Sequence, residues 1–67
     1  MANERTELYS IDGAFFLIAY IDHTKNQIVV EYGAQVERFE NSPAGMRWAM
    51  EEFQNCAEHL RLLEKHS

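Results

Sequence analysis

The chain has 67 residues, a formal net charge of −5, one cysteine, and hydrophobic and charged fractions of 46% and 25%. That length allows one domain, residues 1–67, with marginal burial, and the single cysteine excludes an intrachain disulfide. Eleven acids oppose six scattered bases, Arg5, Lys25, Arg38, Arg47, Arg61 and Lys65, so no basic patch exists to track a phosphate backbone.

The first ten residues, MANERTELYS, are polar and lack the apolar core of a signal peptide. The first strand is expected at roughly Arg5–Ile11. Asp12-Gly13 suits a two-residue turn, because Gly accepts a positive φ. Residues 14–21, AFFLIAYI, form the longest apolar run, far short of a bilayer span. A cytoplasmic protein without membrane contact is expected, and the lone cysteine fits a reducing setting. The second strand is expected at Ala14–Asp22. Asp22–Gln27 is a polar turn in which Asn26 suits a left-handed conformation.

A third strand starts at Gln27. Ile28, Val30, Tyr32, Ala34 and Val36 alternate with more polar residues up to Glu37, with Gly33 as a bend or bulge. Ser42-Pro43 reads as N-cap and first helical position. Met46, Ala49, Met50, Phe53, Cys56, Ala57, Leu60 and Leu63 then form a stripe of roughly 140°, which predicts a helix over Pro43–Lys65. The expected fold class is α+β. It is a three-stranded antiparallel meander followed by one long C-terminal helix packed on one sheet face.

The AFFLIAYI run does not alternate, which raises the question of what covers its second face. If Ile11 pairs with Ala14 and Asp22 with Gln27, opposed residues share a face. Leu8, Phe15, Leu17, Ala19, Ile21, Ile28, Val30 and Tyr32 then face the helix. Tyr9, Ile11, Phe16, Ile18, Tyr20 and Val29 are left on the other side, about 500–600 Å² of apolar surface. Burying it contributes on the order of 12–15 kcal/mol per chain, against an association cost of about 4–15 kcal/mol. A homodimer joined through these six residues is therefore expected. The alternative is cover from within the chain, by the N-terminal segment or a curled sheet.

No cofactor, metal or catalytic site is expected. Glu52, Cys56, His59 and His66 form a conceivable row of ligands on the helix, but Cys56 falls in the apolar stripe and no second ligand pair supports it. Ser10, Ser42 and Ser67 sit in no nucleophile motif, and no Gly-rich phosphate loop is present. Trp48 and Leu62 lie off the stripe, beside His59 and Glu52, and Trp is a frequent interface anchor. With Glu31, Glu37 and Glu40 they make the expected partner-binding set. Direct nucleic-acid binding is not expected.

Three strands and a helix over residues 6–65 resemble, in topology, the small antitoxin domain of HicB type. The sequence SPAGMRW stands where that family has an acidic-alanine pair at the helix start. The resemblance implies an antitoxin or regulator that neutralises one toxin. The double-stranded-RNA-binding domain also ends in three strands and a helix, but it needs a first helix and basic residues that this chain lacks. Size, acidity and the want of catalytic groups are similar in kind to phage-encoded inhibitors of bacterial defence. The leading expectation is a small acidic, non-enzymatic homodimer that occupies a partner protein's surface. The alternatives are the antitoxin and a structural subunit of a larger assembly.

Overall fold

The computed structural model describes residues 4–65. Four strands, β1 (Arg5–Asp12), β2 (Phe16–Asp22), β3 (Gln27–Tyr32) and β4 (Gln35–Glu40), precede one helix, α1 (Pro43–Lys65). The sheet is antiparallel with strand order β1-β2-β3-β4, and α1 packs across β2, β3 and β4. The class is α+β with a C-terminal helix on the sheet, but there are four strands where three were expected.

The extra strand comes from a turn at Gly33-Ala34. Tyr32 pairs with Gln35 across this two-residue loop, and Gly33 adopts φ 59°. A Gly with positive φ at the first loop position is the pattern of a type II′ hairpin, whose twist suits the flanking strands. The residues expected to continue the third strand therefore fold back beside it.

Between β2 and β3 the register agrees with expectation: Leu17, Ala19, Ile21 and Asp22 oppose Tyr32, Val30, Ile28 and Gln27. Asn26 takes φ 54°, and the Asp22 carboxylate accepts bonds from the Thr24 and Lys25 amides at 3.0 and 3.3 Å. Burial opposes ionisation of Asp22, but these amides and the Arg38 guanidinium together hold its carboxyl below its ordinary range.

Between β1 and β2 the register differs. The loop spans residues 13–15, so Asp12 pairs with Phe16 and Ile11 with Leu17. A bulge at Leu8 then lets Glu7 oppose Tyr20 while Tyr9 opposes Ala19. The longer loop turns Tyr9 and Ile11 over, and the extra residue at the bulge then sets Glu7 and Arg5 on the outer face. Tyr9 and Ile11, expected on the outer face, lie on the helix side with Leu17 and Ala19. The Tyr9 ring packs on Phe53 with centroids 5.8 Å apart.

α1 starts as its residues dictate. Ser42 Oγ accepts the Gly45 N–H at 3.1 Å, and its carbonyl accepts the Met46 N–H at 2.8 Å. The helix buries Ala49, Phe53 and Cys56 against Leu17, Ala19, Ile28 and Val30, and Leu60 beside Gly13 of the first loop. No helix among the described residues is long and apolar enough to cross a membrane.

Candidate partner-binding surfaces

The outer sheet face is covered from within the chain. Ile18, Tyr20 and Val29 are 4%, 6% and 0% exposed, although no second layer of described residues stands over them. Longer side chains of neighbouring strands pave this centre. The Arg5 guanidinium lies 4.5 Å from the Tyr20 ring centroid, and the Tyr20 hydroxyl donates to Glu31 at 2.6 Å. Burial, with the Glu31 carboxylate beside it, pushes the Tyr20 hydroxyl above its ordinary value, while Arg5 pulls it down. The large apolar patch expected here is reduced to its rim, where Phe16 is 51% and Val36 48% exposed.

Pairing places Glu7, Asp12, Asp22, Glu31 and Glu40 on this outer face, against Arg5 and Arg38. Both guanidiniums are engaged. Arg5 stacks on Tyr20, and Arg38 reaches Asp22 at 3.5 Å and Gln27 at 3.3 Å. The face is thus net negative, with Glu7, Asp12 and Glu40 exposed.

Glu37 lies instead on the helix side, opposite Val30. It approaches Cys56, whose Sγ donates to Glu52 Oε2 at 3.6 Å. Burial first, then the Glu52 and Glu37 carboxylates, pushes the Cys56 thiol up to about 11. A thiol so raised carries almost no thiolate at neutral pH, and thiolate is the reactive form. Native Cys56 is expected to react with a disulfide reagent at pH 8 only at the rate at which the chain opens. Stopped-flow labelling with and without urea checks this, and fast native labelling would contradict the burial.

Trp48, Glu52, His59 and Leu62 share one flank of α1. The opposite flank faces β1, where Tyr9, Met50, Phe53 and Gln54 line an open cleft of about 370 Å³. His59 turns the first flank toward β3 and β4: Tyr32 Oη and His59 Nδ1 are 2.8 Å apart, and their rings meet edge to face. Phe15 joins Tyr32 from the first loop, and these three with Gly33, Ala34 and Gln35 line a second cleft of about 260 Å³. Trp48 is 61% exposed.

The expected partner set thus divides. Glu31 and Glu40 are on the outer face, Glu37 and Glu52 meet around Cys56, and Trp48, His59 and Leu62 follow the helix flank. His66 lies outside the described residues. Among the described residues no group of three or more His, Cys, Asp and Glu is placed to hold a metal ion. Phe15 and Val36 were not anticipated as exposed apolar groups. Phe15 lies in the loop before β2 rather than in the strand, and Val36 lies on the outer face rather than the helix side. No family model, no curated protein and no solved structure matches the chain.

Proposed function

We propose that the domain is a non-enzymatic protein-binding module that occupies a basic surface of another protein, in kind like a phage-encoded inhibitor of a bacterial defence complex. The carrying observation is the outer sheet face, where five carboxylates stand against two guanidiniums that are already engaged. Such a face steers a basic partner and repels nucleic acid, and salt screens it within about 10 Å at 0.1 M. The test is affinity capture from the native host with the native chain and with a Glu7→Lys/Glu40→Lys variant. A stoichiometric partner is expected that the native chain holds at low salt and that the variant or 0.5 M salt releases. A partner kept equally under all conditions, or none, overturns the reading.

A second reading concerns the acting unit. The homodimer expected from the sequence moves from the paved centre of the outer face to the end of the sheet. There the loop at 13–15 meets Gly33 and the helix C-terminus, and Ala14 N–H donates to Glu64 Oε2 at 3.2 Å. Phe15, Leu62 and Leu63 are exposed on the helix side of this end, and Phe16 and Val36 on the outer side. The helix-side three present on the order of 250 Å², below the largest patches usual on monomers. Paired, two such patches bury about 500 Å², below the roughly 1,200 Å² of a stable interface. Sedimentation is expected to show monomer at low micromolar concentration and a reversible dimer at hundreds of micromolar, abolished by Phe15→Ser/Leu62→Ser. Monomer throughout overturns it.

A further inference from the structure

We infer that the open edge of β4 is the docking line of the partner, and that its occupant is an extended segment of the partner carrying Lys or Arg, added as a fifth antiparallel strand. This rests on the acidic protein-binding reading above and specifies how the contact is made.

The backbone supplies the first argument. Gly33 donates its N–H to Phe16 on β2, so along β3 the odd-numbered residues face β2 and the even-numbered ones face β4. Ile28, Val30 and Tyr32 therefore exchange bonds with Phe39, Glu37 and Gln35. The alternate residues Val36 and Arg38 turn their N–H and C=O groups outward, whereas the first turn of α1 packs on the Glu40 backbone and the Glu40 carbonyl accepts the Ser42 N–H at 2.9 Å. The sheet's two edges differ in this respect. β1 carries the bulge at Leu8, which interrupts an even ladder, whereas β4 pairs in unbroken register and contains no proline or lysine.

Charge identifies the occupant. On the outer side the edge is flanked by Glu40, with Glu31 one strand in. On the helix side it is flanked by Glu37, with Glu52 beyond it across Cys56. Arg38 is held inward by Asp22 and Gln27. An added strand with cations facing Glu37 and Glu40 meets carboxylates on both sides of the sheet. A second copy does not fit as well. Two-fold antiparallel pairing of β4 with itself requires registers centred on one residue. The two registers that overlap most of the strand set Arg38 against Arg38 or Glu37 against Glu37. Like charges directly opposed are destabilising.

The test is amide exchange and chemical-shift mapping on the full chain. The probe is a ten-residue peptide with Lys or Arg at every third position and Val between, so that cations three apart reach both faces as Glu37 and Glu40 do, and the control replaces each Lys and Arg with Glu. The basic peptide is expected to slow exchange at the Val36 and Arg38 amides about tenfold or more, and the acidic control leaves them unchanged. Glu37→Gln/Glu40→Gln is expected to weaken binding about tenfold. Val36→Pro removes one outward N–H without touching a bond to β3, and it is expected to abolish the added protection; the Gln pair serves if this variant does not fold. Shifts across the outer face without protection at the edge overturn the strand addition and leave the acidic reading standing. No shift with either peptide at millimolar concentration overturns both. Protection of the same amides that rises with protein concentration alone assigns the edge to a second copy and overturns the inference.

Discussion

Replacing Gly45 with alanine is expected to lower stability by about 2 kcal/mol or more, although alanine is the better helix former by roughly 1 kcal/mol. Gly45 is buried in the first turn of α1, three residues past the Ser42 cap that accepts its N–H. A Cβ there would overlap the carbonyl oxygen of Glu40, and its next neighbours are also Glu40 backbone atoms. A flexible side chain could swing away, but the end of a strand cannot move without its pairing to Gln27. Relief requires the helix to lift from β4, which opens the contacts of Met46 and Ala49. A 67-residue domain has about 3–10 kcal/mol in total, so the loss is a large part of it. Urea denaturation should show a lower midpoint at unchanged slope. An unchanged or higher midpoint would mean that α1 does not seat on Glu40.

The second large effect is a contrast between neighbours. Leu17→Ala is expected to cost about 2–5 kcal/mol, because Leu17 is fully enclosed between Ile11, Tyr32 and the helix. Phe16→Ala, one residue earlier and half exposed on the other face, is expected to cost under about 1 kcal/mol. The larger side chain gives the smaller effect. Equal losses, or the reverse order, would assign the faces of β2 the other way.

Much of the fold was legible in the sequence, and the failures have physical causes. The helix was readable because Ser42, Pro43 and an apolar stripe agree on one start and one face. The β2–β3 register was readable because Asp22 and Asn26 carry specific turn chemistry. The fourth strand was hidden by an accident of parity. Apolar residues continue at every second position through Ala34 and Val36, so the alternation ran unbroken over the hairpin. In the fold Ala34 is in the loop and Val36 faces outward. The bulge at Leu8 left no signal either, since it needs no glycine there. Counting apolar residues also misjudged the outer face, because Arg5 counts as polar yet lays its side chain over Tyr20. Within the candidate surface, Trp48 and Leu62 were readable as off-stripe residues. The edge of β4 was not, because the strand itself was not.

The strand order has a consequence for how the molecule assembles. Each strand lies beside its chain neighbour, across loops of residues 13–15, 23–26 and 33–34. Short loops close fast, and hairpins form in about 1–10 μs. The contacts with long sequence separation are those of the helix, such as Glu64 to Ala14, 50 residues apart. Docking of the helix closes the longest loops and is therefore expected after the hairpins have formed. When the chain is made from its N-terminus, the four strands emerge before α1. Leu17, Ile28 and Val30 then stand open to water until the last third of the chain arrives to close over them.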